Sequence, residues 1–248
     1  MIKDDSIFRH LPSGVKEEQL LFFDAMRHAA EIADLSYQRL RGTLTRIALA
    51  EVSVDSPILP TREISTAYLD AWAFVDAVDR FRALWKFAPG ADHSATPVQE
   101  SFFEKTRDIR AVRNFPDHLH KLMHVVDKGK GSALGQLSWF TVPDPEYGYA
   151  CTLVPGHVRN VEHKVHLPLG EELELPTDHI HLRIATLDAN LSRAYRLLAE
   201  CVARLDKSLS TAFEQQGLLE SRTGTDVLIK LTLRWDKPTD EGQAASPP

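Results

Sequence analysis

The chain has 248 residues, 43% hydrophobic and 26% charged, with a formal net charge of -6. Those values describe a globular chain able to bury a sizeable core, and they exclude wholesale disorder, a fibrous class and a surface that is basic all over. Cys151 and Cys201 are too few for a disulfide framework, and nothing near either supplies zinc-site spacing, so both read as reduced packing residues.

The start, Met1-Ile2-Lys3-Asp4-Asp5, lacks the basic and apolar runs of a signal peptide. No apolar stretch reaches the roughly 18 residues of a membrane span. The expected location is the cytoplasm, with no membrane partner.

From Val15 to about Glu51 apolar residues recur in steps of three and four at Phe23, Met26, Ala30, Ala33, Tyr37, Leu40, Leu44 and Ile47, predicting one long amphipathic helix. Pro57 and Pro60 break it, and Thr61 is placed to cap a second helix. That helix carries Ile64, Ala67, Ala71, Phe74, Val78, Phe81 and Trp85 on one stripe and stops at Pro89-Gly90. A polar linker follows, and Phe102 to Val126 suggests a third helix interrupted at Pro116.

The period then changes. Gln136 to Val142 and Tyr147 to Val154 flank Pro143-Asp144-Pro145-Glu146 and predict a β-hairpin, to which Val158 to Leu167 adds a candidate strand. Pro176-Thr177 opens the longest predicted helix, running through Ile180, Ile184, Leu187, Leu191, Leu198, Cys201 and Leu205 to Gln216, about 60 Å at 1.5 Å per residue. Val227, Ile229, Leu231, Leu233 and Trp235 alternate with Leu228, Lys230, Thr232 and Arg234, the cleanest strand pattern in the chain, and 237–248 reads as a disordered tail. The expected fold is mainly α: a four-long-helix bundle in one domain over 1–236, with a β insertion at about 132–170 that the strand at Val227 completes as a small antiparallel sheet.

The chemistry concentrates between Glu104 and Lys130. Seven basic residues, including Lys105, Arg107, Arg110 and Arg113, face four acidic ones, and His118, His120 and His124 form the densest histidine cluster. A guanidinium presents a planar fork of donors to phosphate oxygens, and imidazole moves a proton near neutral pH. Arg113, Asn114 and His118 therefore suit RNA cleavage without metal: a base takes the 2′-hydroxyl proton, the oxygen attacks phosphorus, and arginine stabilises the phosphorane.

The segment Arg113-Asn114-Phe115-Pro116-Asp117-His118 resembles the signature of the HEPN superfamily, an Arg often followed by Asn, then four to six residues, then His. His118 matches the shortest spacing and His120 the longest, and the four-helix layout matches the fold over roughly 15–130 and 177–216. The resemblance implies a homodimer whose two motifs share a cleft, RNA or nucleotide as ligand, and in many members a metal-independent endoribonuclease of toxin or defence type. Pro116 inside the motif and the hairpin insertion depart from the pattern.

The proline bears on which histidine acts. At about 100° per residue an unbroken helix puts Arg113 on one face with Asp117, His120 and His124 and turns His118 about 140° away. A helix break at Pro116 lets Arg113 and Asn114 end one helix as His118 begins the next. The motif spacing favours His118, and both arrangements stay open.

Asp76 and Arg80, one turn apart on the second helix, either brace Arg113 or form an ordinary ion pair. Arg113 itself pairs with Asp117 if the motif is bland. His120 and His124 with Asp117 have metal-ligand spacing, but no second helix offers a matching set, and Asp178, His179 and His181 fit caps of the last helix better than ligands; no metal or cofactor is expected. The alternative reading is a non-catalytic binding or scaffold protein that dimerises through its long last helix and uses the sheet as its partner surface.

Overall fold

The computed structural model describes residues 1–50, 61–88, 96–115, 132–156, 168, 170, 172–221, 223 and 226–232. Expectations about Pro116, Asp117, His118, His120, His124, a strand at 158–167 and a tail at 237–248 fall outside the described residues.

A short 3-10 turn, Ile7–Arg9, precedes α1 (Glu17–Leu49) and α2 (Thr61–Lys86), which end within a few residues of the expected breaks. The pairs Arg46–Glu63 at 3.7 Å and Arg39–Asp70 at 3.3 Å run in opposite order along the two helices, so α1 and α2 are antiparallel. Their facing stripes are buried throughout: Ala33, Tyr37, Leu40 and Leu44 from α1 meet Ala67, Ala71, Phe74, Val78 and Phe81 from α2. Such a seam of small and large apolar residues lets the helices approach closely and removes most of their hydrophobic surface from water.

The described part of the expected third helix, up to Phe115, is two short helices, α3 (Pro97–Lys105) and α4 (Arg107–Asn114). Thr96 caps α3 by accepting from the Gln99 amide at 3.3 Å, with Pro97 at the first helical position. Thr106 separates them. Its hydroxyl donates to the Phe102 carbonyl at 2.6 Å, alongside its own amide at 3.1 Å, and meets the buried Arg82 guanidinium, so Thr106 ties the end of α3 to α2.

The hairpin is present as β1 (Gln136–Asp144) and β2 (Tyr147–Leu153), joined at Pro145-Glu146. The helix expected from Thr177 to Gln216 is corrected in its first half. Residues 177–190 form β3 (Thr177–Ile184) and β4 (Leu187–Asn190), turning at Ala185-Thr186, and helix α5 spans only Leu191–Gln215. Ile180, Leu182 and Ile184 also obey the strand period of two, and pairing with β1 decides for the strand. The sheet is antiparallel in the order β2-β1-β3-β4, so the β segment reaches Asn190 rather than 170.

A bulge interrupts the β1–β3 ladder between Ser138↔His181 and Phe140↔Asp178, and its extra residue, His179, takes a left-handed φ of 55°. Asp178, His179 and His181 therefore lie on a strand and do not cap a helix; Asn190 caps α5 instead, accepting from the Arg193 amide at 2.8 Å. Among the described residues, 227–232 add no strand to the sheet, and the rest of the expected strand, Leu233 to Trp235, lies outside them. Val227, Leu228, Ile229 and Leu231 are 80–90% exposed, outside any ladder among the described residues.

The inner face of the sheet packs on the helices through Leu137, Trp139, Ile180, Leu182 and Ile184. Polar contacts fix its position. Tyr68 of α2 donates to the carbonyls of Gly135 and Leu153 at 3.1 and 2.8 Å, and Arg41 of α1 donates to the carbonyls of Thr177, Glu174 and Leu175. The result is a mainly helical chain with a small antiparallel sheet. No helix among the described residues is long and apolar enough to cross a membrane.

Candidate functional site

Helix α4 is built to show one polar face. Ile109 and Val112 are fully buried against the bundle and Phe115 is buried at its end, so the spacing of a helix turns Arg107, Arg110 and Asn114 outward, with Arg113 half-exposed. Asp108 points the other way and is half-buried, where burial raises its carboxyl above the usual range against the opposing pull of backbone N–H groups. Arg113 stands in the last turn, where a cation is favoured by the helix dipole.

Across from it, α2 supplies two carboxylates three residues apart. Arg113 Nε lies 3.7 Å from Asp76 Oδ1 and 4.0 Å from Asp79 Oδ2. Arg80 Nε donates to the other oxygen of Asp76 at 2.6 Å. Asp79 also faces the buried Arg82 at 3.8 Å, whose guanidinium donates to the Phe103 carbonyl at 2.8 Å and lies 5.1 Å from the Phe103 ring centroid. Burial lowers the Arg82 pKa from its ordinary value, with Asp79 opposing. One pair of carboxylates thus organises three guanidiniums.

Of the residues expected to form the site, Arg113, Asp76 and Arg80 come together, and Asn114 is exposed beside them at the end of α4. Asp76 both braces Arg113 and pairs with Arg80, uniting two roles the sequence left as alternatives. Asp117, His118 and His120 lie outside the described residues. Asp79, Arg82 and Thr106 were not expected there; an acidic residue three positions from Asp76 was the available signal for the first.

Polar clusters also form away from this site. His181 Nδ1 is 2.8 Å from Asp188 Oδ1 across the β3–β4 hairpin, and the His179 and His181 rings are 4.8 Å apart. On α1, Asp24, His28 and Asp226 bring possible metal-donor atoms within 4.8 Å of one another. There Arg27 already supplies the positive charge, its Nη2 2.8 Å from Asp24 and 2.6 Å from Asp226. Burial alone would lower the Arg27 pKa, but its bonds to Asp226 and Asp24 hold it well above the ordinary value, and the Arg27 bond holds Asp226 below its own.

Cys201 is buried and Cys151 half-buried, and burial pushes their thiols up to about 12 and about 11, which makes both poor nucleophiles at neutral pH. Comparison of the chain with protein-family models, with curated proteins and with solved structures finds no match in any of the three.

Proposed function

We propose that the chain is a HEPN-type helical protein that binds RNA or nucleotide phosphate at the exposed face of α4 and cleaves RNA without metal, as a homodimer of toxin or defence type. In this reading α1, α2, the α3–α4 pair and α5 serve as the four-helix core. Arg113 contacts the scissile phosphate, Asn114 orients a phosphate or ribose oxygen, and His118 moves the proton, with His120 or Asp117 in support. The 2′-oxygen attacks phosphorus as its proton passes to the base, the P–O5′ bond breaks, and the leaving oxygen takes a proton, giving a 2′,3′-cyclic phosphate and a 5′-hydroxyl.

One observation carries the reading: α4 turns Arg107, Arg110, Arg113 and Asn114 away from a fully buried Ile109–Val112 face, and Asp76 and Asp79 steady the last of the arginines. A basic face of this kind in an acidic chain suits a polyanion held at one place. The test is incubation of the purified protein with single-stranded RNA in EDTA. Cleavage with 2′,3′-cyclic ends is expected, lost in Arg113→Ala and in His118→Ala. No cleavage, or equal cleavage by the double variant, refutes the nuclease.

A second reading, a non-catalytic partner-binding protein, draws support from an exposed apolar groove between α1 and α2. The outward face of α5 carries Arg193, Glu200, Arg204 and Lys207, so that groove suits an apolar seam better than the last helix does. This reading expects Arg113 and His118 to be dispensable for partner capture.

A further inference from the structure

The antiparallel pair α1–α2 leaves one side open near the start of α1 and the end of α2. Phe22, Ala25 and Ile32 face Ala83, Leu84 and Phe87 across a groove of about 550 Å³. Ile32 is 50% and Phe87 67% exposed. A contiguous apolar surface of this size, with Ile32 and Phe87 side by side rather than scattered singly, marks a place where something else sits.

The same edge of the molecule holds the root of an apolar segment with no cover. Asp226 is fixed to α1, its Oδ1 2.6 Å from Arg27 Nη2 and 3.4 Å from His28 Nε2. His28 is also part of the groove wall. The five residues that follow, Val227-Leu228-Ile229-Lys230-Leu231, therefore leave the molecule at the rim of the groove, and their four apolar side chains are 80–90% exposed.

We infer that Val227–Leu231 of one copy seats in the α1–α2 groove of a second copy, and that the chain dimerises by exchanging these arms. The arm has a strand's alternation, so Val227, Ile229 and Leu231 can present one continuous apolar face. Its four residue steps of about 3.3 Å give roughly 13 Å. The groove wall from Phe22 to Ile32 is about 15 Å long at the helical rise. In its own chain the arm starts beside this groove yet lies outside it, and each copy has one arm and one groove, the pairing that a two-fold axis closes without leaving either unfilled. The inference is independent of the RNA reading.

Light scattering on the eluted full chain across a hundredfold range of concentration is expected to show a dimer that dissociates on dilution. Ile229→Asp in the arm and Phe87→Asp in the groove each weaken the dimer at least tenfold, and since both positions are exposed, circular dichroism and Tm stay as in the parent at dilutions where the parent is monomeric. Mixing an Ile229→Cys chain with a Phe87→Cys chain under a mild added oxidant such as oxidised glutathione, which takes up the two electrons, gives a disulfide between the two, and a chain carrying both substitutions forms it chiefly between copies. A monomer at every concentration, a dimer untouched by either aspartate, or a cross-link confined within one chain overturns the inference; a dimer untouched by either aspartate does so while leaving the shared-cleft dimer of the proposed nuclease intact.

Discussion

Asp178 joins the sheet to α5. Its carboxylate is 2% exposed, accepts from the amides of Glu174 and His179 at 2.9 and 2.7 Å, and is held by Arg196 at 2.9 Å. Burial would raise its pKa, but these donors and the Ser192 hydroxyl together hold it below the usual carboxylate value. A depressed carboxyl contributes stability that is present above the unfolded value of about 3.9 and is lost as pH falls through the folded one. Asp178→Ala should cost about 3 kcal/mol at neutral pH, because Arg196 and two amides lose their partner, and urea titrations from pH 6 to pH 3 should show a shallower acid decline than the parent. Asp70 has the opposite sign. Burial raises its carboxyl against the pull of Arg39, so its ionised form opposes folding and Asp70→Asn should hold or raise Tm at pH 7. Arg113→Ala, by contrast, removes a half-exposed pair worth at most about 1 kcal/mol, so loss of RNA cleavage in that variant with Tm nearly unchanged separates chemistry from folding.

Among the elements, β1 begins at a turn that only glycine accommodates. Gly135 has a φ of 86°, and a Cβ there would lie 2.7 Å from the Arg183 carbonyl oxygen of β3. Gly135→Ala should therefore destabilise by about 2 kcal/mol, read by thermal unfolding, with both φ strain and the displaced ladder contributing. The helices α1 and α2 and the β1–β2 hairpin were legible in the sequence because their apolar periods run long enough to exclude other geometries and their breaks are prolines. The stretch from Thr177 was not. Ile180, Ile184, Leu187 and Leu191 fit helical spacing and Ile180, Leu182, Ile184 fit a strand, and the deciding factor was a partner strand some forty residues earlier in the chain. Val227 to Leu231 failed in the reverse sense: alternation describes side chains, but a strand also has to reach a sheet edge, and Asp226 ties this segment to α1 instead. The candidate site was half legible. Arg113 and Asp76 stood out by charge and spacing, but Asp79 and the buried Arg82 join them only through packing of α2 on α4, which no local pattern encodes.

At the scale of the whole molecule, a net charge of -6 means that any polyanion is held locally and against the average field. Arg107, Arg110 and Arg113 offer about three phosphate contacts, so log affinity for single-stranded RNA should fall with log salt at a slope near -2, and Arg107→Ala with Arg110→Ala should flatten it by about 1.4. An unchanged slope in the double variant would place the RNA elsewhere. Arg80 gives this surface a further property. It lines the α1–α2 groove and also grips Asp76, whose other oxygen faces Arg113. Whatever fills the groove and displaces Arg80 changes the charge Arg113 meets one turn away, and reciprocity then requires a phosphate at Arg113 to alter groove affinity by the same factor. If the arm fills the groove and a phosphate sits at Arg113, assembly and anion recognition would be two ends of a single thermodynamic coupling carried by one guanidinium.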